Sequence, residues 1–389
     1  MRVVIVMGQG HVAGGERILL ELLAETPPGE VVVCAPAGSD LAGQVSALGH
    51  GVADFSLPKL RHSPGPAYVA AYLRAVLAVR RTVRREHAEV VHAFLAFSMK
   101  VVAPVALATR TPALASVHEV TTARTIGPAR ARAQRLMATR FRRVTAVSRY
   151  VADALVASGY PPERVVVIHN GVARRSPPRP RAEARQALGL APDALTYVLV
   201  GRLFHLKGHH VAIEALARLV GPGAGSGSAI TDARLVIVGG PVEPGDEHYH
   251  QELRSLAGRL GVDGIVDFMG QRPDVEAFYD AADVVLVPSV EPDAFPTVVL
   301  EAGLAGRPVV VTDMGGGCEA VVHGRTGLVA PPEPGAFAGA MAQMADPDAR
   351  HAMGAAAASH IATHFSRARF AAHMHEQWEL VAGAQPVPG

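Results

Sequence analysis

The chain has 389 residues, of which 49% are hydrophobic and 19% are charged. This length is sufficient for two domains, each with its own hydrophobic core. The formal net charge of +2 excludes the strongly basic surface of a protein that binds nucleic acid in bulk. The two cysteines, Cys34 and Cys318, make no disulfide framework and favour a reducing cytosol.

The N-terminal run Met1–Met7 has the length of a strand and is too short for a signal peptide or a membrane-spanning helix. No other segment approaches the roughly 20 uninterrupted apolar residues that such a helix requires. We therefore expect a cytoplasmic protein that is either soluble or peripheral to the inner face of the membrane.

Short β-branched runs alternate with Ala- and Leu-rich stretches of helical period, which indicates βαβ units and a mainly parallel sheet. In the first half of the chain, the predicted strands are Val3–Met7, Glu30–Ala35, Val90–His92, Ala113–His118, Val144–Val147 and Val165–His169. The predicted helices of this half are Glu16–Glu25, Ala67–Glu86, Arg130–Arg142 and Arg149–Gly159.

An Arg- and Pro-rich stretch, Arg174–Arg181, suits neither a central strand nor the interior of a helix. We predict an interdomain linker over 174–192, a first domain over 1–173 and a second over 193–365. A final helical segment, 366–389, is predicted to pack back on the first domain. The elements predicted for the second domain are Thr196–Val200, Val211–Leu219, Arg234–Val238, Tyr249–Leu260, Ile265–Met269, Val275–Ala281, Val284–Val287, Val298–Leu304 and Val309–Thr312.

The segment from Gly201 to Gly208 directly follows a predicted strand and opens a predicted helix. Ligands of open α/β sheets bind at the carboxyl ends of strands, where a helix N-terminus offers unpaired N–H groups. Arg202 and Lys207 add two positive charges, which match a diphosphate and the negative charge of a leaving nucleotide. The alternative interpretation is a surface Arg and Lys that flank the start of a helix.

Two carboxylates, Asp293 and Glu301, lie eight positions apart, across a predicted turn and into an apolar helix. An ionised Glu301 in this apolar setting requires a partner, which is either the hydroxyl groups of a ligand or Arg307 nearby. The start of the helix offers backbone N–H groups to a phosphate or a sugar hydroxyl, and Thr297 is a candidate cap. The residues at this start are Phe295, Pro296 and Thr297.

These two segments resemble the family 4 glycosyltransferases of the GT-B superfamily, which bind a sugar nucleotide through an acid–seven residues–acid motif. The resemblance implies that Glu301 binds the nucleotide ribose and that Asp293 contacts the sugar. The family usually has Glu at the first position, and Glu291 is an alternative to Asp293 for the sugar contact. The resemblance also implies an α/β fold of two Rossmann-like, doubly wound domains that face a central cleft.

The resemblance extends over nearly the whole chain. Gly14 and Gly15 resemble the N-terminal glycine loop of the family, where the absence of a Cβ atom lets the backbone approach the phosphate and sugar of the donor. His118 ends a predicted strand at the position where related enzymes have a histidine close to the sugar and the acceptor. The segment that contains Gly270 and Arg272 resembles the one whose backbone contacts the nucleotide base.

The activity that the resemblance implies is transfer of a sugar from a nucleotide-diphospho-sugar to an acceptor hydroxyl, with retention at the anomeric carbon. No cofactor and no metal are expected, because two cations neutralise the diphosphate. A GT-B epimerase or phosphorylase, or a non-catalytic subunit that binds a sugar nucleotide, are the alternatives. The acceptor is expected to be a small molecule, a lipid-linked sugar or a glycan. The residues expected to act in catalysis are His118, Arg202, Lys207 and Asp293.

Eight arginines and no acidic residue lie between Val120 and Arg149. A basic helix in this region is predicted to rest on anionic lipid or to bind an acidic acceptor. The alternative is an ordinary solvated face of the first domain. The arginines are Arg124, Arg130, Arg132, Arg135, Arg140, Arg142, Arg143 and Arg149.

Overall fold

A computed structural model describes residues 1–57, 65–120, 127, 132, 135–220, 230, 232–242 and 244–383. The chain forms two compact units. The first unit consists of Met1–Gly171 together with Arg367–Gly389, and the second is Val172–Ser366. The division after Gly171 falls two residues before the predicted end of the first domain at 173.

The first unit contains a seven-stranded sheet in the order β3-β2-β1-β4-β5-β6-β7. Its strands are β1 (Val3–Val6), β2 (Val31–Ala35), β3 (Gly51–Asp54), β4 (Val90–Phe94), β5 (Ala113–Val117), β6 (Arg143–Ala146) and β7 (Val165–Val167). The helices between them include α1 (Gly14–Ala24), α2 (Asp40–Ala47), α3 (Pro66–Arg85), α4 (Met99–Thr109) and α5 (Arg149–Ala157).

The second unit contains a six-stranded sheet in the order β10-β9-β8-β11-β12-β13. Its strands are β8 (Leu195–Val200), β9 (Ala233–Val238), β10 (Val266–Phe268), β11 (Val284–Val287), β12 (Val309–Thr312) and β13 (Gly327–Ala330). Its helices include α6 (Arg181–Leu188), α7 (His209–Val220), α8 (Pro244–Arg259), α9 (Val275–Ala281), α10 (Thr297–Leu304), α11 (Pro334–Gln343) and α12 (Pro347–His364).

All the paired strands of both sheets are parallel. The central strands are short Val-rich runs that are buried along their whole length, as expected for sheets covered by helices on both faces. In each sheet the strand order reverses once, beside β1 and β4 in the first unit and beside β8 and β11 in the second. The predicted fold class, two Rossmann-like doubly wound α/β domains, is confirmed. Ligands of such sheets bind at the carboxyl ends of the strands next to the reversal.

The final helix, α13 (Arg367–Gly383), belongs to the first unit and packs on α1, β4 and β5. Its Trp378 is buried, and the indole N–H donates to Nδ1 of His92 at 3.2 Å. The other ring nitrogen of His92 contacts the Ser116 hydroxyl at 2.8 Å. Since Nδ1 accepts the indole proton, the neutral His92 ring carries its own proton on Nε2 and donates it to Ser116.

Residues 174–192, predicted as a linker, lie within the second unit and include α6. Arg174 donates to Asp280 at 2.9 Å, and the buried Arg185 donates to Asp283 at 2.7 Å. Asp283 also accepts a hydrogen bond from the backbone N–H of Thr196 at 2.8 Å, on the central strand of the sheet. These contacts fix the segment to the body of the second unit.

Candidate active site

The loop between β8 and α7 touches the loop that follows β11. Gly208 ends the first loop with a φ of +67°, and a Cβ atom there would lie 1.8 Å from the carbonyl oxygen of Pro288. The backbone N–H of Val290 donates to the carbonyl oxygen of Leu206 at 2.9 Å. Both loops therefore meet backbone to backbone at the reversal of strand order, and only glycine fits at position 208 without strain.

Lys207 and Asp293, two of the predicted site residues, are in contact. The Lys207 ammonium donates to Oδ2 of Asp293, and both side chains are partly exposed. Asp293 is held by its backbone, because its carbonyl oxygen accepts from Gly316 N–H at 2.8 Å. Gly315, with a φ of +87°, lies so close that a Cβ atom would be 2.2 Å from the same carbonyl oxygen. A cation and an acid are thus held together at the carboxyl ends of β8 and β11.

Arg202 lies at the start of the same loop and pairs with Asp246 in the first turn of α8. Its Nε donates to Oδ2 at 2.8 Å and its Nη2 donates to Oδ1 at 3.2 Å. The guanidinium also lies over the ring of Phe204, with Cζ 4.9 Å from the ring centroid. Asp246 carries no signal in the sequence, because it follows Arg202 by 44 positions and belongs to no motif.

Glu301 lies on α10 and accepts a hydrogen bond from the hydroxyl of the buried Tyr279 at 2.6 Å. Arg307, the alternative partner weighed from the sequence, donates instead to the carbonyl oxygens of Tyr279 and Asp280, at 3.0 and 2.7 Å. Glu301 is half-buried, so the residue is partly accessible to a ligand. Tyr279 was not predicted, since a buried tyrosine in a helix ordinarily indicates only core packing.

The start of α10 differs in one detail from the prediction. Pro296 occupies the cap position and Thr297 is the first residue within the helix, so the hydroxyl of Thr297 does not cap it. Phe295 is buried, with its ring 5.9 Å from that of Phe365. Packing therefore fixes the path of the chain between Asp293 and α10.

Three glycines join the ends of β8, β9 and β10. The N–H of Gly239 donates to the carbonyl oxygen of Gly270 at 2.8 Å. Gly239 has a φ of +148°, and a Cβ atom there would lie 1.9 Å from the carbonyl oxygen of Gly201. Gly270, with a φ of +66°, is therefore connected through the backbone to the loop that carries Arg202.

Arg272 follows this glycine cluster and forms two 2.8 Å hydrogen bonds with Asp274. The hydrogen bond from Arg272 lowers the pKa of the Asp274 carboxyl below its usual value. The Arg272 guanidinium lies 5.4 Å from the centroid of the Phe278 ring. The side chain is thus ordered by residues near in sequence, and contact of this segment with a base remains a prediction.

Gly14, Gly15 and His118 belong to the first unit. Gly14 is the exposed first residue of α1, with no other atom within 4 Å of its Cβ position. At Gly15 a Cβ atom would lie 2.8 Å from Leu95, which follows β4 with a φ of +76°. A leucine with positive φ is strained, and such strain concentrates at functional sites. No sequence pattern marks Leu95.

His118 follows β5, and its ring packs 4.7 Å from that of Phe94, at the end of β4. Burial of most of the ring lowers the pKa of His118 to about 3. The imidazole is therefore neutral at neutral pH and has one nitrogen that donates and one that accepts. A neutral ring of this kind is suited to a hydrogen bond with a sugar hydroxyl.

The Arg-rich region is only partly described. Arg124 and Arg130 lie outside the described residues. Arg142 donates to the carbonyl oxygen of Val381 on α13, and burial lowers its pKa. Arg143 is a half-buried residue of β6. At least Arg142 and Arg143 therefore serve the fold of the first unit, and membrane contact by this region remains a prediction.

Within the described residues, no group of three or more His, Cys, Asp or Glu side chains is arranged to hold a metal ion. No helix in the same part of the chain is both long and apolar enough to cross a membrane.

Both halves of the chain match known families. The family described as Glycosyl transferases group 1 matches residues 180–360, and the one described as Glycosyltransferase Family 4 matches residues 12–175. A D-inositol 3-phosphate glycosyltransferase of Kribbella flavida is 38% identical over 208 residues, 52% of this chain and 48% of the relative. A protein of the same name from Streptomyces scabiei is 39% identical over 206 residues, 51% of this chain and 45% of the relative. The matched part is about half the length of these curated relatives.

Solved structures match nearly the whole chain. Anabaena Alr3699/HepE, in a crystal structure with UDP and glucose, has a TM-score of 0.83 at 23% identity, over 97% of this chain and 99% of its own. Sucrose-phosphate synthase from Thermosynechococcus elongatus has a TM-score of 0.80 at 20% identity, over 99% of this chain and 100% of its own. At these identities the likeness concerns the fold. The two family matches show that the chain belongs to the family 4 glycosyltransferases, and the structural likeness shows the GT-B fold.

Proposed function

We propose that this protein is a glycosyltransferase that moves a sugar from a nucleotide-diphospho-sugar to an acceptor hydroxyl with retention of the anomeric configuration. The observation that carries the proposal is the contact between Lys207 and Asp293 at the reversal of strand order in the second unit. An ammonium suited to a phosphate and a carboxylate suited to a sugar hydroxyl stand next to each other where such sheets bind ligands.

The donor is proposed to bind to the second unit. Arg202 and Lys207 neutralise the diphosphate, Glu301 accepts hydrogen bonds from the ribose hydroxyls, and Asp293 contacts the sugar. The backbone around Gly270 and Arg272 faces the base, and the start of α10 contributes the N–H groups of Phe295 and Thr297, which flank Pro296. Because the Lys207 ammonium is paired with Asp293, donor binding is proposed to exchange part of this pair for phosphate and hydroxyl contacts.

In the proposed reaction, the bond between the anomeric carbon and the diphosphate oxygen breaks and a bond to the acceptor oxygen forms on the same face of the sugar. The proton of the acceptor hydroxyl passes to the departing diphosphate, so no covalent intermediate with the enzyme is needed. Arg202 and Lys207 stabilise the negative charge that collects on the leaving group. Since these two cations supply the neutralisation, we propose that turnover needs no metal ion.

The first unit is proposed to bind the acceptor. The glycine loop at Gly14 and Gly15 provides backbone close to the donor sugar, and the neutral ring of His118 orients a sugar hydroxyl. The relatives named D-inositol 3-phosphate glycosyltransferases support a small hydroxylated acceptor as the first class to test. Lipid-linked sugars and glycans are the next classes, in keeping with a cytoplasmic protein that contacts the inner face of the membrane through its Arg-rich region.

The test is a thermal-shift screen of the purified protein with uridine, guanosine, adenosine and thymidine diphosphates and their sugars, with and without a chelator. We expect at least one nucleotide to stabilise the protein, with no effect of the chelator. Arg202→Ala and Glu301→Ala should each abolish this shift, whereas Arg218→Ala, an exposed arginine on α7, should retain it. Normal nucleotide binding by both site variants would refute the assignment, and binding without release of nucleoside diphosphate would favour a non-catalytic subunit.

A further inference from the structure

Arg202 forms a two-point ion pair with Asp246, an acid that the proposed donor site does not include. We propose that Asp246 is a positioning residue, which holds the Arg202 guanidinium in the orientation that a nucleoside diphosphate requires. This inference rests on the proposed function, because it takes Arg202 as a phosphate ligand. It adds an acid of α8 to the proposed donor site.

The first support is the geometry of the pair. Two nearly parallel hydrogen bonds, of 2.8 and 3.2 Å, join Nε and Nη2 of Arg202 to the two oxygens of one carboxylate. Such a two-point contact fixes the plane of the guanidinium as well as its position, which a single bond does not. The contact therefore holds the remaining donors of Arg202 in one orientation.

The second support is the difference in burial between the partners. The side chain of Asp246 is only 6% exposed, whereas that of Arg202 is 35% exposed. Oδ2 of Asp246 also accepts from the backbone N–H of Val242 at 2.9 Å, and the residue lies in the first turn of α8, where the helix dipole favours a negative charge. The carboxylate of Asp246 is thus buried and held by the backbone, whereas the guanidinium of Arg202 is partly exposed and accessible to a ligand.

The third support is Phe204, which restrains the face of the guanidinium. Cζ of Arg202 lies 4.9 Å from the centroid of the Phe204 ring. The carboxylate fixes one edge and the ring covers one face, so rotation about the end of the side chain is restricted. Lys207 differs, because its only described ion pair is with Asp293, which is itself a proposed ligand of the sugar.

Two other roles for Asp246 give different results. If the pair only ties the β8 loop to α8, then loss of Asp246 lowers stability and leaves nucleotide affinity unchanged. If Asp246 competes with phosphate for Arg202, its removal tightens binding, because a negative charge has left the site. This charge effect weakens with salt, whereas the loss of positioning persists when charges are screened.

The experiment is a double-mutant cycle measured by calorimetry with the nucleoside diphosphate that binds best in the screen. Asp246→Ala is expected to weaken binding by about threefold to tenfold, because Arg202 must then be ordered on binding. Arg202→Ala, which loses the shift at the nucleotide concentrations of the thermal screen, is expected to weaken binding further but measurably at the higher concentrations of calorimetry. The double variant should match Arg202→Ala, since Asp246 acts only through Arg202. The matching nucleoside, which lacks phosphates, should bind all four proteins equally.

The matched control is a second two-point pair in the same unit. Arg234 donates to Asp267 at 3.0 and 2.9 Å. It lies near the amino end of β9, whereas the candidate site lies at the carboxyl ends of the strands. Asp267→Ala should therefore change thermal stability without changing nucleotide affinity. Asp246→Asn, which keeps the volume of the side chain and an oxygen for the N–H of Val242, should weaken binding even if Asp246→Ala folds poorly.

The outcomes separate this proposal from the proposed function. If Arg202→Ala loses binding while both Asp246 variants bind as the parent does, the positioning role is wrong and the site assignment stands. If Arg202→Ala itself binds normally, the site assignment fails. Tighter binding by Asp246→Ala at about 0.15 M salt, with a smaller gain at about 1 M, would show competition and overturn the positioning role.

Discussion

The contact between the loops after β8 and β11 predicts a large effect of Gly208→Ala. Gly208 has a φ of +67°, a conformation that costs a residue with a Cβ atom about 1–2 kcal/mol. The new Cβ atom would also lie 1.8 Å from the carbonyl oxygen of Pro288, which is backbone and cannot rotate away. The two loops must therefore separate by more than 1 Å, roughly the shortfall from van der Waals contact.

Separation of the loops removes further interactions. The 2.9 Å hydrogen bond from Val290 to Leu206 lies in the same contact, and its loss costs about 1 kcal/mol. Together with the conformational term, we expect Gly208→Ala to lower the free energy of unfolding by about 2–3 kcal/mol. Nucleoside diphosphate affinity should fall at least about tenfold, because Lys207 precedes the displaced residue and moves with it.

Gly189→Ala is the matched control. Gly189 ends α6 with the same φ of +67°, yet its Cβ position has no other atom within 4 Å. Its substitution should therefore cost only the conformational term, about 1–2 kcal/mol, and leave nucleotide affinity unchanged. Urea unfolding and calorimetry of both variants make the comparison. Equal losses of stability in the two variants, with normal binding in both, would refute the argument from loop contact.

Two further predictions concern buried groups. Burial lowers the pKa values of His92 and His209 from 6.5 to about 3, so each ring is neutral in the folded protein at neutral pH. The free energy of unfolding should therefore be constant above about pH 6.5. Below that pH it should fall by about 1.4 kcal/mol per pH unit for each histidine, as the pH decreases towards 3. Urea unfolding between pH 8 and pH 5 measures this slope, which His209→Gln should reduce; a profile without slope would contradict it. Tyr279→Phe removes the 2.6 Å hydrogen bond to Glu301. It should lower the free energy of unfolding by about 1.5–3 kcal/mol and weaken nucleotide binding. An unchanged free energy of unfolding and an unchanged nucleotide affinity would show that the bond contributes nothing.

The positions of the site residues along the fold were largely predictable from the sequence. Arg202 and Lys207 follow a Val-rich strand, and Asp293 follows another, so both loops had to lie at the carboxyl edge of a parallel sheet. Their proximity required the strand order, which places β8 beside β11 although 83 residues separate Val200 from Val284 along the chain. The family resemblance implied that both segments serve one donor site, and the local pattern alone gave no strand order.

The contacts that hold the site were not predictable. Asp246 and Tyr279 act on Arg202 and Glu301 through tertiary contacts, and neither is marked by spacing or composition. The positive φ of Leu95 and the approach of its side chain to Gly15 are features that only the folded structure shows. Similarly, β3 was missed because this edge strand is only partly buried and lacks the apolar run of the central strands.

The discontinuous first unit has a consequence for synthesis. Its closing helix, α13, leaves the ribosome after every residue of Val172–Ser366, and it brings the indole that bonds to His92 in the middle of the sheet. Domains usually fold in the order of their translation, but here the later unit has all of its own chain first. Until α13 is synthesised, β4 and β5 of the nascent first unit lack the helix that packs on them. A premature stop shortly after Ser366 would therefore destabilise the first unit, although most of that unit is synthesised first.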